Sequence, residues 1–394
     1  MSRPVTLALV WHQMNSDNLG VGALTLANLE ILRDAAQIAQ REARFLIVGW
    51  KDPRPWYETP DDVENVPVRT RHLMSPRGPF AEAIARADAV FDIGGGDSFT
   101  DIYGPKRFLT VWGTKVRSIA ARKPLVLCPQ TIGPFDRPWS RALARQALKH
   151  TAAVVTRDAP STDYLREIGA RARILEATDV AMRLPYSAPA PMTKGTLVRV
   201  GLNVSGLLMS GGYTGANQFG LSVDYGALIR VIIGWFTAQD GIEVHLVGHV
   251  QSETQPVEDD QRAGEALAVE FPGVQLAPVF ASPSEAKSYI AGLDFFMGAR
   301  MHSTIAAFSA GVPVIAMAYS RKFQGVFATL GYKYVADMTT DSSEAILTQI
   351  RDGFINRAQL GSEMAEAMKG VDARLDAYRD LAAQVIADLP AAGS

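Results

Sequence analysis

A single cysteine, Cys128, in 394 residues excludes an internal disulfide. It ends the apolar run 125–128, where a buried thiol is expected and no neighbouring His or cation stands ready to activate it. Long hydrophobic runs are missing too. The stretch 5–11 is too short for a secretory core with a cleavage site behind it, and nothing approaches the roughly 20 residues that span a bilayer, so a cytoplasmic chain is expected. Charge of one sign is equally scarce: 39 Lys and Arg against 41 Asp and Glu leave a net −2. The basic residues are spread among nearly equal acids without a basic run interleaved with aromatics, so no nucleic-acid partner is expected. Metal-ligand spacing is also absent. His245 and His249 on one strand would stand about 13 Å apart at roughly 3.3 Å per residue, too far to share one zinc ion.

What the chain has is hydrophobic residues, 47% of the total, arranged as a repeating strand–helix alternation over a length sufficient for two cores. Buried strands are expected at Val5–Val10, 45–48, 89–93, 124–128 and 152–156, with helices at 80–87, 107–121, 140–149 and 161–168. Residues 184–196 are rich in Pro and Ala without periodicity, and read as a linker. Beyond it strands are expected at 198–202, 243–247, Phe295–Gly298 and 312–319, with helices at Tyr225–Thr237, 344–351 and 363–387. The fold class is therefore α/β, with two doubly wound Rossmann-like domains facing across a cleft, as in the B-type glycosyltransferase (GT-B) fold. The expected division is a domain over 1–185, a linker over 186–196, a second domain over 197–360, and a C-terminal helix over 361–394 packing back towards the first.

The most informative stretch is 293–319. The strand Phe295–Gly298 runs into Arg300 and His302, and a helix over 303–310 follows, with Ser303 as its cap, Gly311 as its left-handed exit and Pro313 barring continuation. In extended chain Arg300 and His302 point the same way, towards the N–H groups and positive dipole end of that helix. Lys322, just past the next strand, converges on the same space. Three cations of different kinds at strand carboxyl ends point to an anionic ligand. His249 also lies just past a strand's carboxyl end, and Asn203 opens a long Gly- and Ser-rich loop over 203–220 after another. In the first half, strand 89–93 meets Gly94-Gly95-Gly96-Asp97-Ser98, and Arg157 ends strand 152–156. Arg157 could instead pair with Asp158 or cap a helix, and Asn18 and Gln130 could simply satisfy loop backbone.

These motifs occur in an order that resembles the polysaccharide pyruvyl transferases: Asn18-Leu19-Gly20, the GGGDSFTD run over 94–101, Pro129-Gln130-Thr131-Ile132-Gly133-Pro134, Thr156-Arg157-Asp158 with Ser161 and Leu165, and Asp179. They continue with 298–303, Gly311-Val312-Pro313 and Tyr319 to Lys322. One position departs, since the acid common after the first-loop glycine is Val21 here. The resemblance implies transfer of a pyruvyl group from phosphoenolpyruvate to two hydroxyls of a sugar, giving a cyclic ketal and free phosphate. It implies an N-terminal acceptor side and a C-terminal donor side, and an acceptor that is a sugar, an oligosaccharide or a lipid-linked saccharide, which leaves peripheral membrane association and oligomeric state open. Phosphoenolpyruvate is then the donor substrate, no cofactor or metal is demanded, and Arg300, Ser303, Lys322, Arg157, Asn18, Gln130, His249 and Asn203 are the expected binding residues. His302 is the expected acid at C3 of the donor, and Asp97 the expected base on the acceptor hydroxyl. A nucleotide-sugar glycosyltransferase of the same fold and a sugar-binding homologue without turnover are the alternatives; the first would favour carboxylates on the 303–310 helix, which has none.

Overall fold

A computed structural model describes residues 3–188 and 197–390, without the side chains of Met74, Arg321 and Lys322; most of the expected linker, 189–196, lies outside the described residues. The chain divides into two compact units: Met1–Ser16, Leu24–Val180 and Val371–Ser394 in one, Asp17–Ala23 and Ala181–Gly370 in the other. The division differs from a simple cut at the linker. The loop after the first strand joins the second unit, and the chain from Val371 onward joins the first.

In the first unit the order is β1 (Val5–Val10), α1 (Leu19–Ile38), β2 (Ala43–Trp50), β3 (Val63–Val68), α2 (Thr70–Met74), α3 (Pro79–Arg86), β4 (Ala89–Asp92) and α4 (Pro105–Ala120). Next come β5 (Leu125–Gln130), α5 (Pro138–Leu148), β6 (Ala153–Thr156), α6 (Ala159–Glu167) and β7 (Ile174–Glu176). Seven parallel strands stand in the order β3-β2-β1-β4-β5-β6-β7. The central strands are continuous apolar runs because helices cover both faces; every residue of β4, β5 and β6 is buried. β3 and β7 escape the sequence reading for a physical reason. They are short or half-polar edge strands, and β3 carries Pro67, which only an edge tolerates.

The second unit runs β8 (Val198–Asn203), α7 (Gly206–Met209), α8 (Tyr225–Thr237), β9 (Ile242–Leu246), α9 (Asp260–Glu270), β10 (Gln275–Leu276) and α10 (Pro283–Ile290). It continues with β11 (Phe295–Gly298), α11 (Met301–Ser309), β12 (Val314–Ala318), α12 (Arg321–Thr329), β13 (Val335–Asp337), α13 (Ser343–Ile355) and α14 (Arg357–Ala387). Its six parallel strands stand β10-β9-β8-β11-β12-β13. From Val371 onward α14 belongs to the first unit, where buried Tyr378 donates to Asn28 Oδ1 at 2.8 Å and Asn28 in turn donates to His12 Nε2 at 2.9 Å. Burial holds His12 neutral, with its pKa lowered to about 3. No helix among the described residues is long and apolar enough to cross a membrane.

Candidate functional site

In a doubly wound sheet, ligands sit outside the strand carboxyl ends where the strand order reverses. That point lies between β1 and β4 in the first unit and between β8 and β11 in the second. In the second unit Gly298 and Asn203 are register partners at this point, and a side chain on Gly298 would strike Asn203 Cβ at 2.8 Å.

The chain then passes directly into α11, two residues earlier than the sequence suggests. Arg300 is the N-cap, with extended backbone, and its N–H donates to Asn203 Oδ1 at 2.8 Å. His302 therefore sits in the first helical turn and not in extended chain, and the same-face argument for Arg300 and His302 fails. Ser303 is not the cap either: its hydroxyl donates back to the Arg300 carbonyl at 2.7 Å, and the residue is fully buried. At the other end the expectation holds, since Gly311 has φ +79° and the N–H groups of Gly311 and Val312 close on the carbonyls of Phe308 and Ala307.

Arg300 is corrected from a free anion-binding cation to a held one. Its Nη2 reaches Asp260 Oδ1 at 2.8 Å and the Glu258 carbonyl at 2.7 Å, and its Nε lies 3.1 and 3.2 Å from the two Asp260 oxygens. Burial disfavours the guanidinium charge, but the Asp260 carboxylate outweighs it and raises the Arg300 pKa. Asp260 also accepts the backbone N–H groups of Gly206, His249 and Val250, so one carboxylate joins the ends of β8, β9 and β11. The sequence reading misses Asp260. Its only local signal is the acid pair Asp259-Asp260, of which Asp259 caps α9.

Asn203 is occupied on both sides, donating to Val247 O at 2.9 Å and accepting from Arg300, and it is fully buried. His249 is buried as well. Burial, then its neighbours His302 and Arg300, lower its pKa to about 3, so its imidazole is neutral. Both are corrected from substrate contacts to the wall behind the site. Lys322 lies in the first turn of α12, and its side chain is outside the described residues.

The motif Asn18-Leu19-Gly20 reaches this same place. Leu19 N–H donates to His249 O at 3.1 Å, Gln251 N–H to Asp17 O at 2.9 Å, and Gly20 N–H to Asn18 Oδ1 at 3.0 Å. A Cβ on Gly20 would lie 2.4 Å from His302 Nδ1, so the glycine is there to let the imidazole approach. Asn18 and His302 are thus brought together, both partly exposed, at the N-terminus of α11.

In the first unit, Asp97 is partly exposed and accepts from Tyr103 OH at 2.8 Å. Gln130 is buried; its Nε2 donates to Asp92 O and Cys128 O, while its Oε1 faces Gly94 without a protein partner among the described residues. Arg157 is corrected from a donor-binding cation to a buried pair. Its Nη1 meets Asp179 Oδ2 at 2.8 Å with both side chains at most 1% exposed, and its Nε donates to Thr131 Oγ1 at 3.0 Å. Asp158 caps α6 instead of pairing with Arg157. Among the described residues no three His, Cys, Asp or Glu side chains gather as a metal site.

Residues 18–321 match the family model for polysaccharide pyruvyl transferase, which takes in every motif above up to, but not including, Lys322. The chain belongs to the polysaccharide pyruvyl transferase family. A curated relative, the amylovoran biosynthesis protein AmsJ of Erwinia amylovora, is 21% identical over 305 residues, covering 74% of this chain and 71% of AmsJ. This pyruvyl transferase therefore takes part in polysaccharide biosynthesis.

Among solved structures, the putative UDP-N-acetylglucosamine 2-epimerase of Listeria monocytogenes superposes with a TM-score of 0.58 at 12% identity, over 92% of this chain and 91% of that one. Anabaena HepE in complex with UDP-glucose gives 0.54 at 14%, over 97% and 98%. The sucrose-phosphate synthase of Thermosynechococcus elongatus gives 0.55 at 11%, over 97% of each chain. At these identities the likeness concerns the fold alone, which is GT-B-like. Val21 lies in the first turn of α1.

Proposed function

We propose that the chain transfers the pyruvyl group of phosphoenolpyruvate to two hydroxyls of a saccharide, giving a cyclic ketal and inorganic phosphate, without a metal or cofactor. The first hydroxyl adds to C2 of the enol phosphate while C3 takes up a proton and becomes a methyl group. Phosphate then leaves C2, and the second hydroxyl closes the ketal as its proton is lost. His302 is the acid that delivers the proton to C3. Asn18 and the N–H groups of the first turn of α11 face the donor's phosphate and carboxylate, where the helix dipole favours negative charge. Asp260, Arg300 and Asn203 act through the backbone, fixing where α11 begins.

The observation that carries this reading is the meeting of two family motifs far apart in sequence, Asn18–Gly20 and 298–303, with the His302 imidazole against Gly20. The test is to incubate the protein with phosphoenolpyruvate and a panel of hexosides, following phosphate release and the ketal methyl signal by NMR. His302→Ala is expected to lose roughly 10²–10⁴-fold in turnover, the usual worth of a positioned acid, while keeping its circular dichroism. Unchanged turnover in that variant removes His302 from the acid role. Consumption of a nucleotide sugar in place of phosphoenolpyruvate would overturn the donor.

A further inference from the structure

The second unit carries a cavity that takes no part in the site above. It measures about 560 Å³, within the range of about 300–1,000 Å³ typical of small-molecule sites, and lies where β13, the C-terminal half of α13 and the start of α14 meet. All of its lining residues fall within Ala181–Gly370, and Asn18, Arg300, His302 and Ser303 are not among them. Ile315, Val335 and Leu360 give the cavity one apolar side.

The polar lining consists of acceptors. Asp337, Asp341 and Asp352 bring carboxylates, and Gln349, Asn356 and Gln359 bring amides. Local hydrogen bonds hold these groups in place. Asp337 accepts from the Thr339 N–H at 2.9 Å and from the Gln324 amide, and Asp341 accepts from the Asp337 N–H at 2.9 Å and from Gln349 Nε2 at 3.2 Å. The other two amides donate nearby as well, Asn356 Nδ2 to the Asp352 carbonyl and Gln359 Nε2 to Glu363, each at 2.9 Å. All three amides thus spend an N–H on the protein, and their side-chain oxygens accept no hydrogen bond among the described residues. The exposed Asp352 carboxylate likewise has no ion-pair partner among them. Lys333, the one cation of the lining among the described residues, pairs with Glu363 at 3.7 Å and stands over the Tyr334 ring at 5.2 Å.

We infer that this cavity binds a neutral saccharide unit, a second hold on the polysaccharide or oligosaccharide that the enzyme works on, away from the reacting centre. Three carboxylates repel a phosphate or a carboxylate, so neither phosphoenolpyruvate nor a nucleotide suits the cavity. A bare divalent cation lacks its cage, since no three His, Cys, Asp or Glu side chains gather as a metal site among the described residues. A wholly apolar ligand would leave the acceptors dry and unmatched. A sugar ring meets both sides: its hydroxyls donate to the carboxylate and amide oxygens while its C–H face covers Ile315, Val335 and Leu360. The occupant follows from the family's work on polysaccharides and requires nothing of phosphoenolpyruvate or His302, so this inference and the donor reading fail separately.

The experiment is affinity electrophoresis of the full chain through native gels that carry a neutral glucan, galactan or mannan at rising concentration. At least one of the three polymers is expected to retard the chain. Asp352→Ala/Gln359→Ala should raise the apparent Kd for that polymer by on the order of tenfold or more, because two acceptors are lost and one of them is charged. Both side chains are exposed, so this variant should keep its circular dichroism and thermal unfolding. Asn356→Arg, which fills the cavity from another exposed position, should also abolish the retardation and keeps the test decisive if the double variant misfolds. Free migration of the unaltered chain in all three gels, or retardation that survives both variants, would overturn the inference. So would binding of spermidine or calcium, followed by calorimetry, that is tighter than any of the polymers and is lost in Asp352→Ala/Gln359→Ala, since the cavity would then be a cation site.

Discussion

At the residue scale, a hydrogen on Gly20 decides whether His302 can stand where it does. The Cβ of an alanine would sit 2.4 Å from His302 Nδ1 and 3.0 Å from Asn18 Oδ1. The imidazole must then move by about an ångström, and displacements of that size in a reacting group cost on the order of 10²-fold in rate. Gly20→Ala is therefore expected to lower phosphoenolpyruvate turnover by about that factor while leaving thermal unfolding nearly unchanged. A second residue matters for a different reason. Lys115 is buried against Asp92 at 2.9 Å, each 1% exposed. Lys115→Ala strands the carboxylate, and stability measured by urea unfolding should fall by about 3–5 kcal/mol. Residue types were readable in both cases. That Gly20 meets His302, and Lys115 meets Asp92, was not, because each contact joins segments that only the folded chain brings together.

At the element scale, α11 shows what local sequence can and cannot place. Its end follows from local chemistry: Gly311 adopts φ +79° without a Cβ penalty, and Pro313 follows. Its beginning does not. Ser303 is a good cap by type, yet Asn203 from β8 accepts the Arg300 N–H and Asp260 from α9 holds the Arg300 side chain, so the helix starts at Met301. Long-range hydrogen bonds overrule the local preference of one hydroxyl. Asp260→Asn should be severe. The Arg300 guanidinium, 11% exposed, would lose its counter-charge, and stability is expected to drop by about 3–5 kcal/mol together with most of the activity. A variant that keeps full turnover would show that α11 is positioned by other contacts.

At the scale of the whole molecule, each unit contains a fully buried histidine that folding keeps neutral, His12 in the first and His249 in the second, both with pKa lowered to about 3 by burial. The unfolded chain takes up these protons near the ordinary value of 6.5. The stabilisation is complete above about pH 6.5 and is lost as pH falls towards 3, with a slope of up to about 1.4 kcal/mol per pH unit for each histidine. Urea midpoints are thus expected to fall between pH 7 and pH 5, and a folded His249→Asn variant should flatten the decline for the second unit. The sequence by itself determined the α/β alternation, the central strands and the ordered motifs of the family, because buried parallel strands must be apolar runs and turns need their particular residues. Only the tertiary structure decided that Arg157 and Arg300 are held by Asp179 and Asp260, that Asn203 and His249 form a wall, and that residues 17–23 join the second unit. Which acid meets which base depends on strand order and register, and these are set by the packing of the whole sheet.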